Sequence, residues 1–127
     1  MDIREYFETN NGTGILSTAD SGGEVNAAVY GRPYFLEEGT IAFIMNDRRS
    51  HQNLQSNPRA VYLFLEDGSK SRGIRLYLQR VREEEDQERI NGIRRHRNTS
   101  DPSGDGDRKR FLVYFRVEKT RPIVDSL

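Results

Sequence analysis

The 127-residue chain contains no cysteine and no tryptophan. The absence of cysteine excludes disulfides, thiolate zinc sites, iron–sulfur ligation and thiol nucleophiles. No apolar run approaches the roughly 20 residues that a membrane-spanning helix needs. The charged first ten residues lack the apolar core of a signal peptide. We therefore expect a cytoplasmic protein that does not enter a membrane.

The chain also lacks net charge, because 20 basic residues balance 20 acidic ones. No basic excess is available for nucleic acid or an anionic membrane, and neither partner is expected. Hydrophobic residues make up only 34% of the chain, which predicts a heavily polar surface. The two histidines, His51 and His96, stand in no spacing that makes a metal site, so none is predicted. The length suits a single domain over residues 1–127.

Short runs rich in apolar residues, separated by turns containing Gly, Pro, Asn and Asp, predict six strands. The predicted strands span residues 14–20, 25–36, 40–46, 60–65, 74–82 and 109–118. Short helices are predicted over residues 2–9, from an N-cap at Asp47 to Asn57-Pro58, and over residues 83–97. A long polar loop is predicted at 98–108. Without βαβ alternation, this order favours a mainly β meander that closes into a small antiparallel barrel.

Two of the predicted strands, 40–46 and 60–65, are apolar on both faces. A strand of this kind is buried on both sides. In a small antiparallel protein the second face can be covered by barrel closure, by a partner subunit or by a ligand. The pattern alone leaves these three alternatives open.

The segment that follows the first of these strands carries Arg48, Arg49, Ser50 and His51 at a predicted helix start. Helix N-termini present unpaired N–H groups and a partial positive charge. Arginine adds forked donors that suit phosphate oxygens. This arrangement indicates an anion site. The simpler interpretation, which the spacing alone favours, is an exposed helix start whose arginines pair with nearby acids.

A proline interrupts the second predicted strand within the sequence Arg32-Pro33-Tyr34. Proline cannot donate to a strand ladder, which places this point at an edge or a bulge. Bulges often redirect side chains beside a functional site. A plain barrel corner is the simpler interpretation.

The order of these segments resembles the pyridoxamine 5′-phosphate oxidase-like family of FMN-binding split barrels, and in particular its small members. The resemblance lies in a strand of the GILATAD kind, a proline in the second strand, an acidic-Gly turn, and a short helix ending in N-L-x-x-N-P-R. In this chain the corresponding residues are 14–20, Arg32-Pro33, Glu38-Gly39, 43–46, 53–59 and 61–65. The resemblance covers more than half of the chain and implies a six-stranded antiparallel split β-barrel with short peripheral helices.

The resemblance implies that FMN is the cofactor. It assigns the phosphate to the helix start and the ring to the second and third strands. The residues assigned to cofactor binding are Met45, Asn46, Arg48, Arg49, Ser50 and His51 at the turn, and Arg32, Pro33 and Tyr34 near the ring. Met45 stands where the family usually has threonine, and Ser50 where it usually has lysine. No catalytic residue is assigned.

The implied function is that of an FMN-dependent oxidoreductase that passes electrons through flavin N5 to an unidentified substrate. The implied assembly is a homodimer with the flavin at the interface. The longer signature of the full oxidases is not found, so oxidation of pyridoxamine phosphate itself is not expected. The alternatives are a non-catalytic flavin carrier or sensor, and a flavin-free dimeric module that binds haem or another cofactor.

Overall fold

The computed structural model describes residues 2–97 and 108–124. Within this part, the chain forms six strands and three helices. The elements are α1 (Ile3–Thr9), β1 (Gly12–Ala19), β2 (Val25–Tyr30), β3 (Ile41–Asn46), α2 (Arg49–Ser56), β4 (Arg59–Glu66), β5 (Gly73–Glu84), α3 (Gln87–Arg97) and β6 (Arg110–Pro122). The predicted mainly β fold is confirmed. The loop predicted at 98–108 lies outside the described residues except for its last position.

All strands are antiparallel, and they lie in the order β2-β1-β4-β5-β6-β3. The predicted meander is therefore wrong, because β3 leaves its neighbour in sequence and pairs with β6 at the far end of the sheet. The sheet curls until its two ends approach each other. There Tyr34, just beyond β2, exchanges two backbone hydrogen bonds of 2.8 and 2.9 Å with Ala42 of β3. This narrow contact leaves the barrel split.

The interior of the curled sheet holds the main core. Alternate residues of β1, β4 and β5 point inward, as the two-residue strand period requires. Phe7 of α1 adds a ring that closes one end. The largest fully buried side chains of this core are Leu16, Met45, Leu54, Tyr62, Phe64, Leu76, Leu78 and Phe115.

A second, smaller core lies outside the barrel, between β3, β6 and α3. Ala42, Ile90, Leu112 and Tyr114 are fully buried there, and Ile44 packs against them. The second apolar face of β3 is thus covered by a helix of the same chain. The outer face of β4 differs, since Val61 and Leu63 are only half-buried in the isolated chain.

Several predicted boundaries need correction. The strand predicted over 25–36 ends at Tyr30, and the strand predicted over 109–118 continues to Pro122. The helix predicted over 83–97 begins at Gln87, because Glu83 and Glu84 continue β5 and pair with β6. The N-cap of α2 is Arg48, not Asp47. The carboxylate of Asp47 instead contacts the ring of His51, one turn along the helix.

Tyr62 fixes the chain where it leaves β2. Its hydroxyl donates to the carbonyls of Tyr30 (3.2 Å) and Gly31 (2.9 Å). Burial raises the pKa of Tyr62 above its usual range, so this hydroxyl stays protonated as a donor. A Cβ at Gly14 would overlap the Tyr62 hydroxyl, which explains the glycine at that position. These hydrogen bonds therefore hold the turn after β2 in place.

Candidate functional site

The start of α2 leaves three backbone N–H groups without an acceptor in the helix. The first helical hydrogen bond runs from the amide of Gln52 to the carbonyl of Arg48 (2.9 Å). The amides of Arg49, Ser50 and His51 come before that bond and have no acceptor within the helix. The N-cap side chain makes no capping hydrogen bond. This helix end therefore has the geometry and partial positive charge that favour an anion.

Basic and hydroxyl side chains surround these amides. Arg48 and Arg49 are exposed, and Arg49 makes a long, exposed contact of 3.9 Å with Glu24, a kind of ion pair that contributes little. Ser50 is buried and shares a side-chain hydrogen bond with the Tyr30 hydroxyl. Burial raises the pKa of Tyr30, while this bond and the nearby Arg48 charge partly offset the rise. Together, these residues offer the guanidinium groups of Arg48 and Arg49 and the hydroxyls of Ser50 and Tyr30.

His51 lies at the helix start but points into the protein. Its Nδ1 is 2.9 Å from a carboxylate oxygen of Asp47, and its Nε2 is 3.0 Å from one of Glu83. The ring stacks on Phe111 with centroids 3.9 Å apart. The amide nitrogen of Gln55 lies 3.2 Å from the same Nε2, so polar groups of the protein occupy both ring nitrogens. His51 therefore positions the turn, and in this placement it does not face an anion held by the helix amides.

Two more buried side chains fix α2 to the sheet. The Asn53 amide donates to the Thr18 hydroxyl over 3.0 Å, and Leu54 is fully buried in the main core. In addition, the Asn26 amide contacts the Ser50 hydroxyl over 3.4 Å. These contacts tie the helix to both β1 and β2. The direction of the helix start is thus set by the sheet.

A cleft of about 480 Å³ opens beside the start of α2, at the split in the barrel. It is bounded by β3, by the turn after β2, by α3 and by the beginning of β6. Tyr30, which contacts the α2 start, forms part of its wall. The polar side chains that line it include Arg32, Tyr34, Asn46, Arg94, Arg97 and Arg110.

The structure places the predicted cofactor residues in two adjoining groups and in the core. Three of them, Arg32, Tyr34 and Asn46, line the cleft, and Arg48, Arg49 and Ser50 surround the start of α2. Pro33 and Met45 are buried, and the Met45 side chain is part of the main core. The methionine at this position therefore packs the barrel interior.

The arginines of α3 and β6 were missed by the sequence analysis. The run Arg94-Arg95-His96-Arg97 stands at the end of a predicted helix, where the helix dipole explains it better than contact with nucleic acid. Arg94 and Arg97 are three residues apart and therefore share a helix face, and that spacing was the available signal. Arg110 follows the predicted polar loop and carried no local signal.

Asn46 connects the two groups. It ends β3, it lines the cleft, and its carbonyl accepts the amide of Arg48 (2.9 Å). Its side-chain Oδ1 is buried and has no hydrogen-bond partner among the described residues. Buried polar atoms are rarely left unpaired in native proteins. An acceptor of this kind is available to a ligand that brings an N–H or O–H group.

Solved structures with the same fold include proteins that bind flavin or haem. An FMN-binding protein from Syntrophomonas wolfei subsp. wolfei is 24% identical, with a TM-score of 0.77 over 98% of this chain and 86% of that one. A candidate pyridoxamine 5′-phosphate oxidase from Listeria innocua is 17% identical, with a TM-score of 0.68 over 95% and 94%. This chain has the split-barrel fold of the pyridoxamine 5′-phosphate oxidase-like proteins. The fold implied by the sequence resemblance is confirmed.

The split-barrel fold also occurs in a haem storage protein, HutZ from Vibrio cholerae, which is 15% identical with a TM-score of 0.67 over 95% of this chain and 92% of that one. No protein-family model and no curated protein matches the sequence. In the described part of the chain, no helix combines the length and apolar character needed to cross a membrane.

Replacing His51 tests its structural role. His51→Ala is expected to lower the free energy of unfolding by about 2–3 kcal/mol, because Asp47 and Glu83 lose their hydrogen-bonding partner and Phe111 loses its stacked ring. Urea unfolding followed by circular dichroism measures this change. His96→Ala is the matched control, since His96 is exposed, and it should stay within roughly 0.5 kcal/mol of the parent. Equal effects of the two substitutions would contradict the assignment.

Proposed function

We propose that this chain is an FMN-dependent oxidoreductase of the cytoplasm. In this proposal the FMN phosphate lies at the start of α2 and the ring enters the adjoining cleft. The observation that carries the proposal is the convergence of uncapped helix amides, the Arg48 guanidinium and the Ser50 and Tyr30 hydroxyls beside that cleft. The FMN-binding protein of the same fold supports it.

The residues present fit FMN. A phosphate dianion needs several converging donors, and backbone amides, guanidinium groups and hydroxyls are the kinds that bind it. The buried Oδ1 of Asn46 can accept from a ring N–H or a ribityl hydroxyl. The cleft volume of about 480 Å³ lies within the range of small-molecule sites.

A bound flavin would supply electron or hydride transfer at its N5. The chain's own contribution is to anchor the phosphate through Arg48 and the α2 amides, and to orient the ring beside Asn46. Arg32 and Arg97 place positive potential in the cleft, which favours a ligand that gains negative charge. The lining residues that the structure describes include no carboxylate or imidazole. We therefore assign no general acid or base.

The histidines of this chain are poorly placed to bind haem iron. Haem iron takes an axial ligand such as His, Cys, Met or Tyr. Both ring nitrogens of His51 already contact carboxylates, and the chain has no cysteine. His96 lies exposed on α3. A non-catalytic flavin carrier is the closer alternative, and reduction of the bound flavin by NADH or NADPH would distinguish an enzyme from a carrier.

The phosphate assignment is tested with Arg48→Ala. FMN affinity should fall by roughly 10- to 100-fold, as expected for loss of a charge-assisted hydrogen bond. Affinity for riboflavin, which lacks the phosphate, should stay unchanged. Quenching of flavin fluorescence on titration measures both. Lys70→Ala, which removes an exposed charge in the loop between β4 and β5, is the control. Equal losses for FMN and riboflavin would refute the assignment.

We also propose that two copies pair through the outer face of β2, β1 and β4. Val25 and Val29 of β2 are 78% and 75% exposed, and Ile15 lies between Val29 and Leu63 across the paired strands. Exposed apolar patches of this kind mark interaction surfaces. The depression on this face, about 670 Å³, also contains both basic and acidic side chains, namely Arg59, Lys119 and Glu118. Mixed charges on one apolar face suit a self-complementary two-fold interface.

Val29→Asp tests this pairing. A carboxylate buried at the interface without a partner is costly, so the variant should sediment as a monomer. If the partner subunit completes the cofactor site, its FMN affinity should also fall. Val124→Asp is the matched control, because Val124 is 56% exposed and lies beyond the end of β6. A parent protein that sediments as a monomer would contradict the proposed pairing.

A further inference from the structure

The cleft carries positive charge from three separate parts of the fold. Arg32 comes from the turn after β2, Arg94 and Arg97 come from α3, and Arg110 begins β6. Of the described residues that line the cleft, none is an aspartate or a glutamate. Charges that converge from distant sequence positions are placed by the fold, not by a local run of arginines. The electrostatic potential in such a cleft is positive, and it attracts an anionic ligand.

The contacts of Arg32 and Arg97 orient their guanidinium groups without neutralising them. Arg97 donates to the carbonyl of Pro33 over 2.8 Å and to that of Arg32, and it lies 3.6 Å above the Tyr34 ring. Arg32 donates to the carbonyl of Phe7 over 2.8 Å. All of these partners are uncharged. Both side chains are therefore held in place at the cleft by uncharged partners.

The two cations also oppose each other. Partial burial lowers the pKa of Arg97, and the nearby charge of Arg32 lowers it further. Arginine nevertheless stays protonated in proteins, so the repulsion is not relieved by loss of a proton. A bound anion would relieve it. The hydrogen bonds to main-chain carbonyls thus maintain an arrangement that favours a negatively charged ligand.

Binding of one FMN phosphate does not explain the presence of all these arginines. The start of α2 already supplies Arg48, Arg49 and a set of amides for one phosphate. The arginines of α3 and β6 line the cleft, whereas Arg48 and Arg49 are not among its lining residues. The chain therefore has two cationic regions, one at the start of α2 and one in the cleft, which meet at Asn46 and Tyr30.

We propose that the arginine cleft recognises a small molecule with two or more oxyanion groups, either carboxylates or phosphates, as the reaction partner of the flavin. Forked guanidinium donors suit both groups, and the volume suits a small molecule. The role as reaction partner rests on the proposed flavin function. Recognition of the anion rests only on the cleft. Because Asn46 borders both regions, the ligand would lie beside the cofactor.

The test is calorimetric titration of the purified, FMN-supplemented protein at low ionic strength, with citrate and inorganic pyrophosphate as probes. We expect at least one probe to bind, and the better probe identifies carboxylate or phosphate chemistry. Arg94→Ala should weaken binding by at least about tenfold, as expected for loss of a charge-assisted contact. Arg95→Ala removes the same charge from the neighbouring position, which does not line the cleft, and should change affinity less than about twofold.

Several results would overturn the proposal. The first is that neither probe binds. The second is that Arg94→Ala and Arg95→Ala weaken binding equally. The third is that Arg94→Ala loses FMN affinity and that the probes displace FMN. The last result would mean that the cleft holds the cofactor phosphate. If Arg94→Ala does not fold by circular dichroism, Arg94→Gln replaces it. Probe binding that depends on Arg94 in a protein that takes up no FMN would uphold the anion site and refute the flavin function.

Discussion

The start of α2 is held against the sheet by buried polar side chains, and the candidate site depends on this attachment. His51 joins the turn after β3 to β5 through two carboxylates and stacks on β6. Asn53 and Ser50 join the same helix to β1 and β2. Contacts of this kind are directional, so they fix the rotation of the helix as well as its position. The position of the uncapped amides of α2 follows from them.

The sheet order explains why charged groups from distant positions meet. Because β3 pairs with β6, β2 and β3 form the two ends of the sheet, and the bridge between Tyr34 and Ala42 joins them. The gap beside this bridge exposes the end of β3, and α3 covers the outer face of β3 next to it. Arg32 and Arg97 therefore reach the same opening although 65 positions separate them. The split in the barrel thus provides both the volume and the charge of the cleft.

The sequence was sufficient for the strands, most helix bounds and, through the family resemblance, the split barrel. It was not sufficient for the sheet order, since the two-residue period specifies a buried face but not a partner strand. The acidic run at Glu83 and Glu84 suggested a helix, whereas pairing with β6 keeps these residues in β5. His51 was read as an anion ligand because the acid that orients it from β5 is 32 positions away. The basic residues of α3 had a sufficient local explanation, which concealed their position in the cleft.

Native mass spectrometry of the purified protein after addition of excess FMN tests the central claim most directly. It reports the ligand mass and the number of chains in the same measurement. The account predicts a two-chain assembly that carries one FMN for each chain. Chains that remain free of FMN, or that take up haem in its place, would contradict it.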